Sequence, residues 1–82
     1  MLPEFWLAFN GLPPKVQNTA RKNYSLWQQK PTLKSLGFKK KNDLWSVCAG
    51  SGQRALATFA DGAYVWFWIG PHDEYERLLR NL

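Results

Sequence analysis

Lys39, Arg54, His72 and Tyr75 are the residues of this 82-residue chain whose types and spacing could carry chemistry. Lysine and arginine suit a phosphodiester, because they neutralise phosphate oxygens and the charge that builds in the transition state. An imidazole or phenol beside them could move a proton to or from a ribose 2′-hydroxyl or a leaving oxygen. His72 and Tyr75 stand three apart, hence on one face of a helix. One cysteine and one histidine cannot build a four-ligand zinc site; the constellation suits RNA cleavage without a metal, and no cofactor is expected. Each group also has a plainer use. His72, just before Asp73 and Glu74, suits a helix start, Tyr75 a core position, and Lys39, Lys40 and Lys41 a solvated turn guarding an edge strand. Cys48 has no histidine base predicted beside it and reads as a small hydrophobe.

The elements that must position these groups follow from pattern. Pro3 and Glu4 open a short helix carrying Phe5, Trp6 and Phe9, which stops at Asn10-Gly11. Pro13-Pro14 start a second helix, with Val16, Ala20, Tyr24 and Trp27 at helical spacing, and Lys30-Pro31 end it. Strands are expected over Ser35–Lys40, Leu44–Ala49, Gln53–Ala60 and Ala63–Ile69, followed by a helix opening on His72. The predicted fold is α+β: an N-terminal helical hairpin on a four-stranded antiparallel sheet, with a short C-terminal helix, all in one domain over residues 1–82.

Turn positions predict the register. An Asp61-Gly62 turn sets Ala57 opposite Trp66 and Ala55 opposite Trp68. A Gly50-Ser51-Gly52 loop sets Val47 opposite Ala55 and Trp45 opposite Ala57. A turn at Lys41-Asn42 sets Phe38 opposite Trp45 and Leu36 opposite Val47. One face then collects Leu36, Phe38, Trp45, Val47, Phe59, Trp66 and Trp68 and should pack on the hairpin. The other carries Lys39, Ser46, Cys48, Arg54, Leu56 and Thr58, with Val65, Phe67 and Ile69 beside them. Lys39, Arg54 and the Ser46 hydroxyl converge there, with Cys48 directly across from Arg54. The last strand is apolar on both sides, so Tyr75, Leu78, Leu79 and Leu82 of the terminal helix are the expected cover.

The formal charge is +5, but its distribution is uneven. From Lys15 to Arg54 there are nine basic residues and one acid, whereas both flanking segments are mildly acidic. A basic middle of this kind suggests a surface that faces a polyanion, such as RNA. The longest apolar stretch, Gly62 to Gly70, is far short of a membrane helix, and no signal peptide is visible. A single cysteine excludes an internal disulfide framework and suits a reducing compartment. A soluble, cytoplasmic protein is expected.

Five segments together resemble the RelE/ParE superfamily of bacterial toxin–antitoxin modules: L-P-P-K-V-Q-N-T-A-R-K-N-Y-S-L-W, P-T-L-K-S-L-G-F-K-K, L-W-S-V, R-A-L and W-I-G-P-H-D-E-Y. The resemblance implies a growth-inhibiting toxin neutralised by a co-expressed antitoxin that wraps it. RelE-like members cut messenger RNA, commonly on the ribosome, and ParE-like members poison DNA gyrase. Carried over, Lys39 or Lys40 matches the family's basic strand position, Arg54 the arginine of the R-A-L strand, and His72 with Tyr75 the C-terminal acid/base region. Relatives often carry arginine where this chain has Cys48. The resemblance therefore implies a RelE-like, metal-independent endoribonuclease with Lys39, Lys40, Lys41 and Arg54 on RNA. The alternatives are a ParE-like gyrase inhibitor acting by binding, and a non-catalytic RNA- or antitoxin-binding remnant. The antitoxin is expected on the sheet face of Val65, Phe67 and Ile69 and on the terminal helix.

Overall fold

The computed structural model describes residues 1–50 and 52–81. Its elements are α1 (Pro3–Asn10), α2 (Pro14–Gln29), a 3-10 turn (Lys34–Leu36), β1 (Lys39–Lys41), β2 (Leu44–Gly50), β3 (Gln53–Ala60), β4 (Ala63–Pro71) and α3 (His72–Arg80). The strands form one antiparallel sheet in the order β1-β2-β3-β4. This is the expected α+β arrangement, with the two N-terminal helices on one face and α3 on the other.

Proline opens both N-terminal helices, where its fixed φ suits the first turn and its missing N–H costs nothing. Phe5 and Phe9, four residues apart, are buried, and the Leu2 N–H donates to the Trp66 carbonyl at 3.0 Å. Together these hold α1 over β4. Gln17 ties the hairpin together, its side-chain amide donating to the carbonyls of Phe9 (3.2 Å) and Leu12 (3.0 Å). Asn23 donates to the Cys48 carbonyl at 3.1 Å and so fixes α2 over β2.

The Asp61-Gly62 turn has φ of 53° and 79°, the left-handed pair a tight hairpin needs, and Ala57 lies opposite Trp66 as expected. Val47 opposite Ala55, Trp45 opposite Ala57 and Cys48 opposite Arg54 also hold. Ser51, in the predicted loop, lies outside the described residues.

Beyond Trp66 the expected register fails. Leu56 pairs with Trp68 and Ala55 with Ile69, so Phe67 is the extra residue of a β-bulge. A bulge resets the alternation of faces. Trp68 therefore turns away from the hairpin to join Leu56, Tyr75 and Leu79, while Ile69 turns inward and is buried in the main core. Gly70 makes room for this: a Cβ there would lie 2.6 Å from the Trp68 ring.

The first strand is also displaced. Gly37 adopts a left-handed φ of 53°, which ends the 3-10 turn and keeps Ser35 and Leu36 out of the sheet. The turn falls at Asn42-Asp43, and Lys39 pairs with Ser46 and Lys40 with Trp45. This shift of two residues preserves sidedness, so Phe38 still stacks on Trp45, with ring centroids 4.9 Å apart. Phe59, expected in the core, is 54% exposed near the tip of the β3–β4 hairpin, where the ring of Tyr64 is its aromatic neighbour.

Helix α3 starts after Pro71 with no side-chain cap; the His72 N–H instead donates to the Gly52 carbonyl at 2.9 Å. Asp73 and Glu74 in its first turn and Arg77 and Arg80 in its last complement the helix dipole. Tyr75 and Leu79 are buried against Leu56, with Phe67 and Trp68 packed beside them. The terminal helix thus covers the second face of β3 and β4 through Tyr75 and Leu79; Leu78, also expected in that cover, is 39% exposed, and Leu82 lies outside the described residues.

Candidate nucleic-acid interface

Arg54 enters the site because β3 places it opposite Cys48, on the face that α3 covers. One guanidinium nitrogen, Nη2, donates to the Ser46 hydroxyl at 2.7 Å and to the Gly37 carbonyl at 3.2 Å. The Ser46 hydroxyl in turn shares a 3.2 Å hydrogen bond with the Tyr75 phenol. The guanidinium carbon lies 5.1 Å from the centroid of the Tyr75 ring, within cation–π range. The Nε of Arg54 is buried and makes no hydrogen bond. Arg54 is thus clamped from two sides behind Tyr75. The convergence of Arg54 with Ser46 holds.

On the outer side of Tyr75 an open groove of about 370 Å³ runs between β1 and α3. Lys39 and Lys41 form one wall; His72, Glu76 and Arg80 form the other; Tyr75 and Leu79 lie between them. The His72 ring stacks on Tyr75, with centroids 5.5 Å apart and planes 30° from parallel. Its Nε2 lies 3.0 Å from a Glu76 carboxylate oxygen, which fixes the orientation of an otherwise exposed imidazole. The structure therefore brings Lys39, His72 and Tyr75 to one groove with Arg54 behind it. Lys40 lies opposite Trp45, out of phase with its neighbours on the strand, and does not line the groove.

Tyr75 is only 4% exposed and its hydroxyl turns inward to Ser46, so it holds the site's geometry from beneath. His72 is the exposed imidazole of the groove, and Lys39, Lys41 and Arg80 are its exposed cations. Such a set can seat a phosphate and move a proton beside it. Cys48 donates its thiol to the Gly50 carbonyl at 3.2 Å, bound to its own strand end. Among the described residues no three His, Cys, Asp or Glu side chains gather to hold a metal ion.

Two residues of the groove escaped sequence reasoning, Glu76 and Arg80. The signal was present: His72, Glu76 and Arg80 are spaced four apart and so line one helix face. Among the described residues no helix is long and apolar enough to cross a membrane. Comparison of the chain with protein-family models, with curated proteins and with solved structures returns no match.

Proposed function

We propose that this protein is the toxin of a bacterial type II toxin–antitoxin module, a RelE-like endoribonuclease that cuts messenger RNA in the cytoplasm without a metal. One observation carries the reading: Lys39, Lys41 and Arg80 border the same groove as an imidazole oriented by Glu76. In this proposal the cations seat the phosphates flanking the cut, and His72 moves the proton to or from the reacting oxygens. Arg54, Ser46 and Tyr75 form the support that holds the groove's floor, and Arg54 adds positive potential from behind. Its partners are RNA, at the ribosome, and a cognate antitoxin that keeps it inactive. The resemblance of W-I-G-P-H-D-E-Y and its companion segments to RelE/ParE toxins supports the same reading.

A second reading has its own support. Cys48 stands opposite Arg54 where relatives often carry a second arginine, and the Tyr75 phenol is occupied by Ser46. Both favour a protein that binds RNA or an antitoxin without cutting. Expression of wild type, His72→Ala and Arg54→Ala without antitoxin, scoring growth and message integrity, separates the two. The ribonuclease reading expects growth arrest with cleaved messages for wild type alone. Equal growth of all three with intact messages overturns it. A supercoiling assay on gyrase run alongside tests the ParE-like alternative.

A further inference from the structure

A second cavity lies on the opposite face of the sheet from the lysine groove, between α1 and α2. It is an open groove of about 410 Å³, within the range of small-molecule sites. Its floor is low because Ala20, Ala49 and Ala55 meet there, with Val47, Trp66 and Ile69 around them. Its rim carries large apolar side chains left in solvent: Trp6 is 44% exposed, and Tyr24 faces it from α2. No acidic side chain borders it, whereas Arg21 does, with its guanidinium 4.9 Å above the Phe9 ring. Among the described residues the ion pair is His72 with Glu76, which leaves Arg21 without a carboxylate. An apolar trough with one unmatched cation at its edge calls for a ligand of the complementary kind.

We propose that this groove binds a small amphiphile: an apolar body carrying one carboxylate. The body lies on Ala20, Val47, Ala55 and Trp66, flanked by Trp6 and Tyr24, and the carboxylate meets Arg21. Its wall α1 has 8 residues, about 12 Å at 1.5 Å per residue, which matches a small molecule rather than a partner helix. Burial of the apolar body supplies affinity, and the guanidinium supplies preference for an anion over a cation. The site shares no residue with the proposed RNA groove, so it stands whether or not that groove cuts RNA.

The test uses the full chain with decanoate below its micelle concentration, and decyltrimethylammonium as the charge-reversed control. Isothermal titration should give one-to-one binding of decanoate. Tryptophan fluorescence should change, and amide shifts should concentrate at Phe9, Ala20 and Trp66. Arg21→Gln should weaken binding by roughly tenfold, the worth of one charged hydrogen bond. Ala20→Leu, which fills the floor, should abolish decanoate binding; the folded spectrum of this variant and its retained RNA binding are read in parallel. Equal affinity for the cationic amphiphile overturns the proposal. So does binding only to phosphatidylglycerol vesicles, or self-association on sedimentation that closes the groove.

Discussion

Ser46 is the junction on which the Arg54 and Tyr75 positions depend, and its removal has a calculable cost. Ser46 is 2% exposed, and its hydroxyl accepts from Arg54 at 2.7 Å and bonds Tyr75 at 3.2 Å. A hydrogen bond to a charged group contributes about 1.5–3 kcal/mol and a neutral one about 0.5–1.5 kcal/mol. Arg54 keeps the Gly37 carbonyl in Ser46→Ala and is only partly buried, so the lower end applies to it. The expected loss is about 2–3 kcal/mol for Ser46→Ala and about 1 kcal/mol for Tyr75→Phe. At about 4–8 °C per kcal/mol for a domain of this size, Tyr75→Phe lowers the melting temperature by roughly 4–8 °C and Ser46→Ala by roughly twice that. Adding Tyr75→Phe to Ser46→Ala should cost almost nothing, since the phenol has by then lost its partner; the coupling is about 1 kcal/mol. Urea and thermal unfolding of the four proteins measure it. The same variants separate support from chemistry: Tyr75→Phe should keep any RNA cleavage that His72→Ala loses. Strictly additive losses would refute the junction, and loss of cleavage in a stably folded Tyr75→Phe would make the phenol a proton carrier after all.

Four further outcomes follow from the geometry. Replacing Lys39 and Lys41 with Ala should flatten the logarithmic salt dependence of RNA binding by about 1–2 units, near 0.7 per lost phosphate contact, while Lys40→Ala, off the groove, changes it less; filter binding across a salt series decides. Cys48→Arg would set a second guanidinium across from Arg54, and should tighten RNA binding while slightly lowering the melting temperature, because the repulsion is relieved only when phosphate arrives. Arg54→Ala should lower cleavage by a factor on the order of one hundred if its charge acts on the transition state. Gly70→Ala should destabilise by about 1–3 kcal/mol, since its Cβ would press into the Trp68 ring at 2.6 Å; an unchanged denaturation midpoint would show that the ring has somewhere else to go.

What the sequence determined by itself was local or set by parity. Prolines and the Asn10-Gly11 stop delimit α1 and α2, Asp61-Gly62 demands a left-handed turn, and alternation puts Val47, Ala55 and Ala57 on the helix side. These rest on backbone sterics and a period of two, which a linear pattern records in full. The meeting of Arg54 with Ser46, and of α3 with the far face, was legible for the same reason.

Tertiary structure decided the rest. A bulge at Phe67 leaves no mark in the pattern, because Trp66, Phe67, Trp68 and Ile69 are all apolar and either face could take any of them. Only the packing of Trp68 against Leu56 and Tyr75, with Gly70 beneath it, selects the register. Alternation already parts Lys39 from Lys40, but only the Asn42-Asp43 turn, two residues from Lys40, draws Lys41 into the strand and sets it beside Lys39 in the groove. The inward direction of the Tyr75 hydroxyl likewise depends on Ser46, 29 residues away, a distance in sequence that no local rule spans.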